Sequence, residues 1–170
     1  MCGELKNQRV AILATDGFES ELTEPLEMLR RNGAEVDNIS LHSGEIPGMQ
    51  HREKGDKVRA DIALDQAKAD NDTALVLPRG AANVLRTDPC AVRFVRQFVD
   101  AKKPIAAICL APWTLIGADA VRGRRMTSWP SLKTDLRNAV PNGLTRKSWL
   151  TRGWRLGGSP MTCRPSARRY

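Results

Sequence analysis

Lys103-Pro104-Ile105-Ala106-Ala107-Ile108-Cys109-Leu110-Ala111-Pro112-Trp113 is the stretch whose reading decides the fold. Ile105 to Ile108 is a short apolar run, the pattern of a strand covered on both faces. Pro112 suits the first turn of a helix, where a missing N–H costs nothing and a fixed φ helps. Cys109 is therefore predicted on a sharp strand-to-helix turn, its sulfur close to helix N-terminal amides. Those amides and the helix dipole favour thiolate over thiol, and thiolate is the nucleophile.

Working outward, the same alternation recurs. Arg9-Val10-Ala11-Ile12-Leu13-Ala14 reads as a buried strand, residues 16–19 as a turn, and residues 21–32 as a helix with Leu22, Leu26 and Leu29 on one face and Pro25 in its first turns. Gly33 fits the helix C-cap. Residues 34–40 form a second strand candidate, residues 43–57 a Gly- and charge-rich loop or small hairpin, and residues 58–64 an alternating edge strand. Residues 73–78 are a third core strand, and residues 89–101 an amphipathic helix with Val92, Val95, Phe98 and Val99 inward. After the Cys109 turn come a short strand at residues 126–129 and a helix at residues 131–139. Strands alternating with helices imply a mostly parallel sheet with helices on both faces, and a site beyond the carboxyl ends of the strands. Those ends deliver residues 16–21, residues 78–81 and Cys109 to one rim.

A chain of 170 residues is expected to form one domain with a core that holds without disulfides. No apolar run is long enough for a membrane span, and the polar first nine residues lack a signal region. Cys2, Cys90, Cys109 and Cys163 show no CxxC spacing, which argues against a zinc site or disulfide framework and for a reducing cytoplasm. No metal or cofactor is expected. The net charge of +8 is confined to one place: residues 139–170 carry seven basic residues and no acid, and the remainder holds 20 basic and 19 acidic residues. A basic tail can bind phosphate backbones without specificity, but the body gives no reason to expect nucleic-acid recognition.

The strings Ala14-Thr15-Asp16-Gly17-Phe18-Glu19, Glu21-Leu22-Thr23-Glu24-Pro25-Leu26, Leu75-Val76-Leu77-Pro78, Ala106-Ala107-Ile108-Cys109 and Thr127-Ser128-Trp129-Pro130-Ser131-Leu132-Lys133-Thr134-Asp135-Leu136-Arg137-Asn138-Ala139 resemble the DJ-1/PfpI family, in the branch of protease I and the general stress proteins. The likeness runs from about Arg9 to Ala139. It implies a flavodoxin-like three-layer α/β/α sandwich, a homodimer or higher oligomer, and a nucleophilic cysteine at the elbow, Cys109. It further implies a glutamate hydrogen-bonded to that sulfur, Glu21, and an oxyanion hole from the backbone amides of Gly80 and Leu110. Relatives are credited with peptide hydrolysis, deglycation of amines and glyoxalase-like chemistry, so the implied substrate is a small carbonyl, a glycated amine or a peptide. The physical logic stands beside the resemblance: a thiolate attacks a carbonyl, and convergent N–H groups stabilise the oxyanion.

The chain departs from that pattern in four places. Leu110 and Ala111 stand where the branch has histidine and glycine after the nucleophile, and the two histidines, His42 and His51, lie in or near the residue 43–57 loop. Arg79 replaces the first of two glycines after Leu77-Pro78, a position where glycine can adopt a backbone geometry that arginine resists. The loop between Glu19 and Glu21 is one residue short, and the one at residues 81–85 about two short. Finally, residues 139–170 carry none of the family's closing strand and helix. Back-translated with GC-rich codons and read one base earlier, the tail yields RGAEWVDEEVVVD and then SRRKPDDLPAFC, which resemble that missing continuation. The expected organisation is thus a family domain over residues 1–138 and a frameshifted, poorly ordered basic tail over residues 139–170. Trp113 and Trp129 are expected to pack near the site, His51 to be structural, and Cys2, Cys90 and Cys163 to be incidental. Two functions stay open: a cysteine-dependent hydrolase or deglycase, and a catalytically impaired or thiol-sensing member.

Overall fold

The computed structural model describes residues 5–18, 20–50, 53–80, 82–122, 126–139, 148–151 and 154–157; for residues 20, 21, 50, 53 and 54 and the last two segments it describes the backbone only. Along the chain run β1 (Arg9–Leu13), α1 (Ser20–Arg31), β2 (Glu35–Ser40), β3 (Gly44–Gln50), β4 (Glu53–Ala60), β5 (Ile62–Ala63), β6 (Ala74–Leu77), α2 (Ala82–Leu85), α3 (Pro89–Asp100), β7 (Ile105–Ile108), α4 (Pro112–Gly117), α5 (Lys133–Ala139), β8 (Ser148–Thr151) and β9 (Trp154–Gly157). The main sheet has the order β5-β2-β1-β6-β7-β9-β8, and β3 and β4 form a separate antiparallel hairpin. Every pairing in the main sheet is parallel except β8 with β9. The result is the three-layer α/β sandwich that the alternating elements predict.

Residues of β1 alternate between two cores, as side chains on a strand must. Ala11 and Leu13 join Phe94, Val95, Phe98 and Leu115 on the side of α3 and α4. Val10, Ile12 and Ala14 join Leu22 and Leu26 of α1 and Ile46 of the hairpin on the other side. Helix α3 shows why its sequence makes it. Asp88 caps it, its Oδ1 accepting from the Ala91 N–H at 2.8 Å, and Pro89 occupies the first turn. Ala91, Phe94, Val95 and Phe98 are all buried, a spacing that lines one helical face. Phe94 and Phe98 meet edge to face with centroids 5.3 Å apart.

Several elements differ from the sequence expectation. The single edge strand expected at residues 58–64 is split at Asp61, whose N–H donates to Asn38 O at 2.7 Å while its Oδ2 accepts from Asn38 N at 2.9 Å. That double clamp turns the chain from the hairpin into the short edge strand β5. Residues 126–129 form no strand: the Trp129 N–H reaches Cys109 O at 3.0 Å, and no ladder follows. Residues 82–85 are a turn of helix, α2, rather than a bare loop. Strand β7 is not covered on both faces, because Ile105 and Ala107 are buried while Ala106 and Ile108 are half-buried. In the tail expected to be poorly ordered, β8 and β9 are described, with β9 parallel to β7 through Ala106↔Arg155; the rest of residues 140–170 lies outside the described residues.

At the opposite end of the strands from Cys109, Arg9 Nη2 holds Asp37 Oδ2 at 2.6 Å, and Asp72 is buried with its Oδ1 at 3.8 Å from Arg9 Nε. Burial, and then the charge of Asp37, push the Asp72 carboxyl up from 3.8 to about 6, against the opposing pull of Arg9.

Candidate active site

Strands β6 and β7 lie side by side with Leu77 opposite Ala107. Arg79 and Cys109 both lie just past the carboxyl ends of their strands. Cys109 has φ +57°, in the left-handed region that non-glycine residues enter rarely. Holding it there costs on the order of 1–3 kcal/mol, which the surrounding packing must supply. The cause is local: the chain passes from strand to helix within three residues, the Ala111 N–H closes the turn on Ile108 O at 2.9 Å, and Pro112 begins α4. The predicted sharp turn is present. The predicted helix dipole is weaker than expected, since α4 is only six residues long.

Cys109 is fully buried and is a thiol; Cys90 is also a thiol but only half-buried. Leu110 beside it is half-buried. Across the gap, Gly80 takes φ +95°, and a Cβ there would collide with Gly17 O and with Phe18 Cα, 2.6 Å away. Only glycine fits, and its close approach ties the end of β6 to the loop after β1. Arg79 keeps a negative φ, so the backbone demand that the sequence assigned to its position falls on Gly80 instead. Among the described residues no backbone carbonyl takes the N–H of Gly80 or of Leu110.

The loop after β1 is fixed from the other side by the β3–β4 hairpin. Gly17 N donates to Pro47 O at 2.9 Å and Met49 N to Phe18 O at 2.7 Å. Gly48 lets this happen: a Cβ there would meet the Phe18 ring at 2.8 Å and Asp56 O at 2.6 Å. Helix α1, with Glu21 in its first turn, leaves from this clamped loop. The side chain of Glu21, and all of Glu19 and His51, lie outside the described residues. His42 is described and stands elsewhere on the rim. It follows β2, which β1 and β6 separate from β7, and its Nε2 lies 3.1 Å from Asp16 Oδ1.

The tryptophans do more than the packing expected of them. Trp129 abuts the elbow through its N–H bond to Cys109 O, and the Arg79 guanidinium stands 5.9 Å from its ring centroid. Trp113 Nε1 donates to Asp135 Oδ2 at 2.7 Å, tying α4 to α5, and Arg86 lies 4.8 Å over its ring. Nothing in the spacing of these residues announces the pairings; they follow from how the loops converge. Among the described residues, no group of His, Cys, Asp or Glu could hold a metal ion, and no helix is long and apolar enough to cross a membrane. Cys2 and Cys163 lie outside the described residues.

Residues 8–150 match the DJ-1/PfpI family. The chain is 38% identical over 137 residues to protein/nucleic acid deglycase 2 of Escherichia coli strain K12, covering 78% of this chain and 77% of the relative. It is also 38% identical over 133 residues to a deglycase of Thermococcus kodakarensis, covering 77% and 78%. Among solved structures it resembles a two-domain protein of Anabaena variabilis containing DJ-1/ThiJ/PfpI-like and ferritin-like domains, with a TM-score of 0.83 and 27% identity. That match covers 91% of this chain but 44% of the Anabaena protein, so the chain spans less than half of it.

Proposed function

The chain belongs to the DJ-1/PfpI family, and on that footing we propose that it is a cytoplasmic cysteine-dependent hydrolase of the deglycase or peptidase kind, with Cys109 as its nucleophile. The observation that carries the proposal is the left-handed, fully buried Cys109 on the turn between β7 and α4. A residue is held in so costly a conformation where the chain needs its side chain aimed at one point. The proposed substrate is a small carbonyl compound, a glycated amine or a peptide, without specific nucleic-acid or membrane binding, and the protein acts as a homodimer or higher oligomer.

In this scheme the Cys109 thiolate adds to the substrate carbonyl carbon. An S–C bond forms and the π pair moves onto oxygen, where the N–H groups of Gly80 and Leu110 meet it. With a peptide or other amide substrate the adduct then collapses: the carbonyl re-forms, the C–N bond breaks, and the amine leaves with a proton, which Glu21 supplies. Water then releases the acyl group from sulfur and returns the thiol. Glu21 in its protonated form also hydrogen-bonds the thiolate, whereas a charged carboxylate would raise the thiol's pKa.

Turnover of methylglyoxal and of glycated amines by the parent and by Cys109→Ser tests this. Loss of at least about a hundredfold in the variant is expected for a nucleophile. Equal, near-zero rates in both forms would support the second reading, a non-catalytic thiol sensor. That reading draws on Leu110, which stands where the branch carries histidine and offers no side chain for proton transfer.

A further inference from the structure

We infer that Asp135 is a positioning residue for Cys109: through the indole of Trp113 it holds the first turn of α4, and with it the strained cysteine turn, in place. The inference rests on the proposed nucleophilic role of Cys109 and deepens it. Cys109 stands at φ +57°, a conformation that persists only where its surroundings over-determine it. Helix α4 cannot supply that by itself, because its six residues are far fewer than a helix needs to hold in water alone. Among the described residues, hydrogen bonds from residues 129–135 reach this turn at two points. The Trp129 N–H donates to Cys109 O at 3.0 Å, and Asp135 Oδ2 accepts from Trp113 Nε1 at 2.7 Å. Trp113 is in turn tied to the residue after the cysteine, its backbone N–H donating to Leu110 O at 3.0 Å.

The two anchor points keep a fixed spacing. A single turn of 3-10 helix over Pro130–Leu132, closed by the Leu132 N–H on Trp129 O at 3.0 Å, runs directly into α5. Leu132 and Leu136 root that segment in the interior, so a rigid element presents the Asp135 carboxylate. The Arg86 guanidinium lies 4.8 Å from the centroid of the same indole, and Arg86, Trp113 and Asp135 are all half-buried. A hydrogen bond to a carboxylate is roughly twice as strong as one between neutral groups, and half burial screens it less than a surface pair. It fixes the indole, and so fixes where the first turn of α4 begins. Loss of the acceptor leaves the Trp129 bond and the buried Leu115 of α4 in place. The fold then survives, while the cysteine turn gains room to relax towards ordinary backbone angles.

Two readouts test this in the parent, in Asp135→Leu and in Trp113→Phe, which keeps an aromatic ring under Arg86. In methylglyoxal and glycated-amine turnover, kcat should fall about tenfold in either variant, the scale of one charge-assisted hydrogen bond, with KM changed less than about twofold. Asp135→Asn, which keeps an acceptor oxygen, should recover most of the loss. The double variant should be no worse than either single one, because both break the same bond. The second readout needs no activity. Cys109 is fully buried, so iodoacetamide reaches its sulfur when the turn opens: the S–C bond forms, the C–I bond breaks, iodide leaves with the pair and the thiol proton passes to water. Peptide mapping by mass spectrometry should show Cys109 alkylated about fivefold to tenfold faster in Asp135→Leu, with Cys90 on α3 unchanged. A Cys109 rate that stays at the parent's, or rises only in proportion to the loss of stability in urea, overturns the inference. Variants that fail to fold overturn it too, since the bond would then be structural. If the parent turns over no carbonyl while Asp135→Leu still releases Cys109, the hydrolase proposal fails and the hold on the cysteine turn stands. If Asp135→Leu turns over carbonyls at the parent's kcat, this inference alone fails.

Discussion

The two faces of the sheet are finished differently. On the face of α3 and α4, burial is continuous from β2 through β1 and β6 to β7: Ile39, Leu13, Leu77 and Ala107 are all within one core. On the face of α1 the core is built around β1, with Val10, Ile12, Leu22 and Leu26, and it thins towards β7, where Ala106 is only partly buried against it. Ile12 and Ile108 make the contrast concrete. They are the same residue on parallel strands and, by register, on the same face, yet Ile12 is fully buried and Ile108 half-buried. Helix α1 and the hairpin close over β1, and among the described residues nothing does the same for β7. Hydrophobic stabilisation follows the area removed from water, so the strand carrying Cys109 is anchored chiefly from one side.

That asymmetry can be broken or sharpened by four measurements. Phe98→Ala, at the centre of the well-covered face, should lose about 3–5 kcal/mol in urea unfolding; a loss under 1 kcal/mol would mean that this face does not dominate. Ile12→Ala should cost about 2 kcal/mol more than Ile108→Ala, and equal costs would erase the contrast on the α1 face. Gly80→Ala should destabilise by roughly 1–2 kcal/mol, since alanine resists φ +95° and meets the Gly17–Phe18 backbone. An unchanged melting temperature would show that the contact between the loops after β1 and β6 is slack.

The smallest effect concerns the far end of β1 and β6. The Asp72 carboxyl is raised from 3.8 to about 6 in the fold, so the folded state holds its proton more tightly than the unfolded chain. Its contribution is most favourable below pH 4, declines as pH rises towards 6, and is lost above that. Asp72→Asn should therefore gain on the order of 1 kcal/mol at pH 7.5 and nothing at pH 3.5. A variant whose pH–stability curve parallels the parent's would show that this carboxyl does not shape the curve.

The half-covered side of β7 bears on the tail. A frame shift near Asn138, which the chain's acid-free residues 139–170 suggest, would remove a closing helix and leave such a face. Resequencing the gene across codon 138 decides it, and an intact frame encoding the present tail refutes it.

Much of this was legible in the chain. Alternating apolar segments specify a layered parallel sheet because each must bury two faces or one stripe, and Asp88-Pro89 announces where α3 starts. The residues Ile105 to Pro112 foretold the sharp turn at Cys109, because a strand that meets a helix-starting proline four residues later has little room to turn. Gly80 could be suspected, yet Arg79 drew the attention, since only the folded loops show which of two adjacent positions must pass close to Gly17. The split at Asp61, the bond from Trp113 to Asp135 and the stacking of Arg79 on Trp129 join residues distant in sequence, and no local pattern encodes such a meeting. Sequence by itself determined most of the elements, their layering and the place of the cysteine, because these rest on periodicity and backbone chemistry. Tertiary structure alone decided how far each face is covered and which cation stacks on Trp129, because both depend on where separate loops converge.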